Sequence, residues 1–391
     1  SCGGGGASAG ASGGASVGGA ERLRAELRAW LAAHWTDDRR AEVDQADADR
    51  AFAARRSWNA DLVDAGWGAV AWPERFGGRD AGLLEQLAYN EEMAGVGAPG
   101  PVNAIGVANI APAIMAVGTD EQRDRFLRPM LRGDEIWSQG MSEPEAGSDL
   151  ASLRCRAELD GDTFVVNGQK TWNSNGDRAD WCQLYVRTNP DVPKHKGITC
   201  LLVDMTTPGI EARPITTMAG DAGFSELFLS DVRVPADALL GDVDGGWAVA
   251  TRTLSNERAG VANLYLNIRR KLDHLLADAA LAGALGSPVA RDLVVRRYIE
   301  ARLLELLARR SLGAALAGRA PGAEGSVIKL AWSLSEQALA NTAVDLLGLG
   351  ATTGRWGESL LSSRSLSIAG GTTEVNKNIV AERVLGLPRE P

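Results

Sequence analysis

Apolar residues in ERLRAELRAWLAAHW, from Glu21 to Trp35, recur three and four positions apart, the period of one helix face. The same period returns in RSWNADLVDAGW, LLEQLAYNEEMAG and DEQRDRFLRPMLRG, with breaks at the Gly/Pro clusters WPERFGGRDAG and VGAPGPV. Residues 21–135 therefore read as a helical domain. From 136 to 245 the pattern shortens to alternating runs: CRAEL, TFVVN, QKTW, WCQLYVR, GITCLLVD, IEARPI and ELFLSDVRV. Asp160-Gly161-Asp162 between two β-rich runs is a hairpin signal, and the segment reads as an antiparallel barrel or sandwich. Helical runs return over 247–280, 288–317, 324–348 and 373–385, the last closed by Gly386 and Pro388, which makes 246–391 a helical bundle. The expected order is thus helical, β, helical, an α+β architecture without βαβ alternation or a Walker A loop. Residues 1–20, a Gly/Ala/Ser stretch with nothing to pack, read as a flexible tail.

One polar position breaks the pattern. After Gly245-Gly246 the apolar stripe runs through Trp247, Ala250, Leu254, Val261, Leu264, Tyr265, Ile268 and Leu272, and Glu257 falls on it. A carboxylate facing a core is costly unless it is paired or has a chemical role. Glu257 is therefore either a buried partner of Arg258 or a base.

Composition narrows the function classes. A net charge of −9 leaves no basic footprint for nucleic acid or an anionic membrane. No run of eighteen apolar residues occurs to span a bilayer. Cys2, Cys155, Cys182 and Cys200 form no CxxC pair, and with only His34, His195 and His274 there is no metal-ligand spacing. That balance suits a reducing, cytoplasmic setting and a small-molecule partner.

The stretch MSEPEAGSDLASLRCRAELDGDTFVVNGQKTWNSNG, residues 141–176, gathers hydroxyls, glycines and Trp172 at the expected helix-to-sheet junction. Such a loop can offer donors to a polar ring edge or a phosphate, with the indole as an apolar wall; a turn-rich junction that binds nothing fits the composition equally. MSEPEAGSD, DGDTFVVNGQKTWNSNG and the terminal GGTTEVNKNIVAERVLGLPRE, in this order, resemble the acyl-CoA dehydrogenase family over residues 21–391. The resemblance implies an N-terminal helical domain, a central antiparallel β-barrel and a C-terminal four-helix bundle. It also implies FAD as cofactor, an acyl-CoA substrate and an electron-transferring flavoprotein as acceptor. The implied reaction removes the α-proton with a carboxylate while the β-hydrogen leaves as hydride to flavin N5, giving a trans-2-enoyl-CoA.

In the commonest members the base stands just before a Gly-Thr, and here that position is Gly370 in IAGGTTEV. A second group supplies the base from the first long helix after the β domain, just before an arginine, and Glu257-Arg258 stands there. The resemblance therefore makes Glu257 the base and Arg258 the residue that orients or tunes it. It carries Met141, Ser142, Gly147, Trp172, Ser174, Thr372 and Glu374 to the cofactor and Ser148 to the acyl-CoA. Capping and turn formation are the ordinary alternative for these hydroxyls, and Glu374 suits the first turn of a helix.

Two elements depart from the family pattern. Its Arg-x-x-Phe-Gly reads Ala282-Gly283-Ala284-Leu285-Gly286, and its Gln-x-x-Gly-Gly reads Asp345-Leu346-Leu347-Gly348-Leu349. Both losses resemble divergent members, including two-subunit heteromers acting on sterol side chains, so the chain is expected in a homo-oligomer or with a related subunit. A flavin monooxygenase or oxidase on the same fold is the alternative activity.

Overall fold

The computed structural model describes residues 17–260, 264–319 and 322–389, and within them the side chains of all but residue 17 and residues 254–260. Of the expected tail, residues 1–16 lie outside the described residues, as does Cys2, while Val17 to Ala20 already belong to the first helix.

The N-terminal part is helical: α1 (Val17–His34), α2 (Asp37–Val43), α3 (Ala48–Asp64), a 3-10 turn at Glu74–Phe76, α4 (Leu83–Val96), a π-helical turn at Gly106–Ile110, α5 (Ala111–Val117) and α6 (Asp120–Arg132). Their starts are chemically marked. Asp47 accepts from the Asp49 and Arg50 amides at the head of α3, and Thr119 and Gln122 form a capping box on α6. Leu27, Leu31, Trp58 and Leu62 bury the apolar faces against one another. Between α1 and α4, Arg24 and Arg28 both grip Glu92, each at 2.6 Å.

The middle part is a seven-stranded sheet shaped as half a barrel: β1 (Trp137–Gly140), β2 (Arg156–Asp160), β3 (Thr163–Ser174), β4 (Trp181–Arg187), β5 (Ile198–Asp204), β6 (Ile210–Ile215) and β7 (Phe224–Pro235). Strands run in the order β1-β4-β2-β3-β7-β6, with β5 paired antiparallel to β4. Most pairs are antiparallel; β1 and the start of β2 lie parallel to β4. The β2–β3 turn falls at Gly161-Asp162, where Gly161 takes φ +65°. Alternation sorts β4 into two faces. Cys182, Leu184 and Val186 pack inside the half-barrel with Val166, Val203 and Val232, while Tyr185 faces the helices with Cys200, Ile110, Ile114 and Val249.

Five helices complete the chain after α7 (Gly246–Gly260): α8 (Leu264–Leu281), α9 (Pro288–Leu316), α10 (Glu324–Leu347), α11 (Gly354–Ser362) and α12 (Thr373–Arg383). Helices α8, α9 and α10 pack around Leu272, Leu275, Leu304 and Leu339, and α12 lies on α10. The apolar stripe expected in one helix from Trp247 to Leu272 is divided between α7 and α8, and 261–263 lie outside the described residues.

Candidate active site

The loop leaving β1 is held from beneath by a buried ion pair. Lys170, on the inward face of β3, is 0% exposed, and its Nζ reaches Glu143 Oε1 at 2.8 Å and the Met141 carbonyl at 3.2 Å. Glu143 also accepts from the backbone amides of Arg154 at 2.6 Å and Cys155 at 2.8 Å. Its own backbone pairs with Ala146 in both directions, closing a tight turn over Pro144-Glu145. One carboxylate therefore ties the loop to the strand below and to the entry of β2. Neither residue was singled out from the sequence, although Lys170 stands at an inward position of an alternating strand, two residues beyond Gly168 and four beyond Val166.

Beside this loop β3 departs from the ladder. Its register with β7 shifts between Lys170 and Asn173, and Trp172 takes φ +60° there. The bulge frees the Thr171 amide to donate to the Ser142 carbonyl at 2.9 Å, and Asn173 Nδ2 donates to the Gln139 carbonyl at 2.9 Å. Trp172 is turned outward, 58% exposed, with its ring edge-on to Phe224 at 5.9 Å. Ser138 Oγ donates to the Ser174 carbonyl. Met141, Ser142, Trp172 and Ser174 thus share one corner, with Gly147 and Ser148 exposed on the loop that leaves it.

Helix α7 starts hard against β5: a Cβ on Gly246 would lie 2.7 Å from the Thr199 carbonyl carbon, a contact only glycine avoids. Glu257 and Arg258 belong to this helix, and their side chains lie outside the described residues. Gly370 takes φ +66° in an exposed turn ahead of α12. Thr372 caps α12 by accepting from the Val375 amide, and Glu374 is exposed in its first turn. This second corner is anchored to α10 by Lys329, whose Nζ donates to the Gly371 carbonyl. Thr372 and Glu374 share no hydrogen bond with the Met141 loop among the described residues.

The first corner fits a flat group with a polar edge. Among the described residues nothing takes the side-chain hydroxyls of Ser142, Ser148 or Ser174, and a Cβ on Gly147 would meet nothing within 4 Å. An exposed indole beside unengaged hydroxyls suits the isoalloxazine ring of a flavin. No group of three or more His, Cys, Asp or Glu suited to a metal ion occurs among the described residues. The thiols are not candidates for chemistry either: burial pushes Cys155 up to about 11, Cys182 up to about 12, and Cys200 further still.

Comparison with known proteins covers all three parts of the chain. Family models for the acyl-CoA dehydrogenase N-terminal, middle and C-terminal domains match residues 19–134, 138–232 and 244–385. Acyl-CoA dehydrogenase IpdE1 of Mycobacterium tuberculosis is 38% identical over 382 residues, covering 95% of this chain and 98% of that protein. Among solved structures, the ChsE4-ChsE5 complex from Mycobacterium tuberculosis superposes with a TM-score of 0.82 at 34% identity, over 96% of this chain and 99% of that one. The Tcur3481-Tcur3483 steroid ACAD gives 0.84 at 30% identity, over 96% and 99%. No helix among the described residues is long and apolar enough to cross a membrane.

Proposed function

The chain belongs to the acyl-CoA dehydrogenase family, whose members are FAD-dependent oxidoreductases, and on that premise we propose that it converts an acyl-CoA thioester to the trans-2-enoyl-CoA with Glu257 as base. The observation that carries the choice of base is Gly370, which has no side chain to take a proton where the commonest members keep their carboxylate. Glu257-Arg258 on α7 stands at the alternative position, and Arg258 orients or tunes the carboxylate. The α-proton of a thioester is a weak acid. A positioned base contributes about 10²–10⁴-fold, and donors aimed at the developing oxyanion contribute further.

Met141, Ser142, Gly147, Trp172 and Ser174 hold the ring of FAD, Thr372 and Glu374 meet the cofactor from the head of α12, and Ser148 meets the acyl-CoA. When bound, FAD supplies the two-electron oxidant that accepts the β-hydrogen. An electron-transferring flavoprotein is the proposed acceptor. The glycine at 370 leaves room beside the thioester for a branched or bulky acyl group, and the likeness to the Tcur3481-Tcur3483 steroid ACAD and to the ChsE4-ChsE5 complex supports such a substrate and a related partner subunit.

The test is the visible spectrum of the yellow protein before and after anaerobic addition of isobutyryl-, isovaleryl-, octanoyl-, palmitoyl- and steroid side-chain CoA. Bleaching by a bulky thioester is the expected outcome, and a preference for short straight chains would remove the bulky-substrate reading. Glu257→Gln should keep FAD and bind acyl-CoA while losing turnover by about 10²–10⁴-fold or more. Retained turnover would overturn the base.

A further inference from the structure

Helix α7 is attached to the β4–β5 hairpin at two polar points. At its start, Asp244 takes φ +62° and its carboxylate accepts from Thr188 Oγ1, while its amide donates to Thr199 Oγ1 at 2.9 Å. The two threonine hydroxyls meet at 2.7 Å, and Gly246 sits flush on the β5 backbone. Two turns further on, Tyr185 of β4 meets Thr253 of α7 at 3.3 Å between hydroxyl oxygens, with Tyr185 0% and Thr253 1% exposed. Thr253 has one hydroxyl proton, which it donates to the Val249 carbonyl at 3.1 Å. With that proton directed at Val249, Thr253 Oγ1 can accept from Tyr185, whose hydroxyl also meets the Cys200 thiol.

A phenol in the core left without a hydrogen-bond partner bears the full cost of its desolvation. A phenylalanine would fill the same space beside Cys200, Ile110 and Val249 without needing a partner. What the hydroxyl adds is direction: it fixes the rotation and axial position of α7 at Thr253, where apolar packing alone tolerates sliding. Position 257 lies four residues on, about one turn further along the same helix.

We infer that Tyr185 is a positioning residue for the α-proton abstraction step: through Thr253 it sets the placement of the helix that carries the base. The inference rests on Glu257 as base. Asp244, Thr188 and Thr199 hold the start of α7, and Tyr185 sets the turn next to the reacting carboxylate. A misplacement of about 1 Å at such a group can cost on the order of 10²-fold in rate.

The experiment compares Tyr185→Phe, Thr253→Val and Thr253→Ser in the full chain with its FAD, using the thioester from the panel above that bleaches the flavin fastest, in α-protio and α-deuterio forms. Tyr185→Phe and Thr253→Val should each lower kcat about 10- to 100-fold with KM within about twofold, and should raise the α-deuterium isotope effect as proton abstraction becomes more rate-limiting. Thr253→Ser, which keeps the acceptor, should restore both. The Phe/Val double variant should fall no further than either single one, because both remove the same contact. A kcat within about twofold of wild type in both single variants overturns the inference, as does a Thr253→Ser variant as slow as Thr253→Val. A lower melting temperature with an unchanged isotope effect marks the contact as structural only and also overturns it. Glu257→Gln separates the two readings: an active Glu257→Gln removes the base, whereas an inactive one beside a normal Tyr185→Phe removes the positioning role alone.

Discussion

Replacing Lys170 by methionine should destabilise the protein more than replacing Lys170 and Glu143 together. Methionine keeps the length and apolar stem of lysine and removes only the ammonium group. The substitution strands the Glu143 carboxylate, 8% exposed, with two backbone donors and no hydrogen-bonded counter-charge, leaving it the longer-range attraction of Arg187. Breaking a buried pair on one side costs about 3–5 kcal/mol, because the remaining charge has been taken from water without compensation. At an unfolding entropy of roughly 2.1 cal/mol/K per residue, the 391 residues correspond to about 0.8 kcal/mol/K, so the single variant should melt about 4–6 °C lower. Lys170→Met with Glu143→Gln leaves a neutral amide whose oxygen still accepts from the Arg154 or Cys155 amide, and should recover at least half of the loss. The assay is calorimetric melting of the four proteins of the cycle, with FAD content recorded alongside. A single variant within about 1 °C of wild type, or a double variant less stable than the single, would refute the reasoning.

Two further outcomes follow from charges and thiols away from the site. Burial works to raise the Glu92 carboxyl, and the hydrogen bonds from Arg28 and Arg24 more than offset it, holding it below the ordinary 4.5. A carboxylate depressed in the folded state contributes stability above its unfolded value and loses it as pH falls through the folded one. Melting temperature should therefore drop more steeply below about pH 4.5 in wild type than in Glu92→Gln, and parallel curves would count against the Arg24–Glu92–Arg28 contact. Cys155, Cys182 and Cys200 are buried thiols with raised values, so a maleimide should leave all three unlabelled in the native protein near pH 8 and label them in guanidinium; peptide mapping that finds native labelling at any of them contradicts the burial.

The domain order was legible because periods of 3.6 and 2 persist over long segments and change sharply near Trp137 and Gly246. Short elements escape that reading, β1 and α11 among them. Strand β1 is four residues, WSQG, too short for alternation to register, and it joins the sheet through a parallel partner far along the chain. Helix α11 is nine residues with glycines at 354 and 357, a composition that reads as a turn until packing against α10 supplies its stability. Motif resemblance proposes the residues that meet the cofactor, whereas the support beneath them carries no such signal. Lys170 and Glu143 lie 27 residues apart and Tyr185 and Thr253 lie 68 apart, so each pair exists only after the sheet has formed. A local pattern contains no trace of the partner.

The strained turn at Trp172 shows how that support reaches the site. A bulky residue in the left-handed region costs about 1–2 kcal/mol, and in mid-strand it persists only where neighbours overdetermine it. The overdetermining bonds are Thr171 N to Ser142 O before the indole and Asn173 Nδ2 to Gln139 O after it. Both acceptors lie on β1 or the loop that leaves it, the same loop held below by Lys170 at Met141. The exposed indole and the Ser142 edge are consequently one mechanical unit: a movement of the loop that released Thr171 would let β3 return to its ladder and withdraw the ring. On the proposed placement of FAD against Trp172 and Ser142, the ring would stabilise both contacts at once, so its retention should depend on the buried ion pair as well as on the hydroxyls.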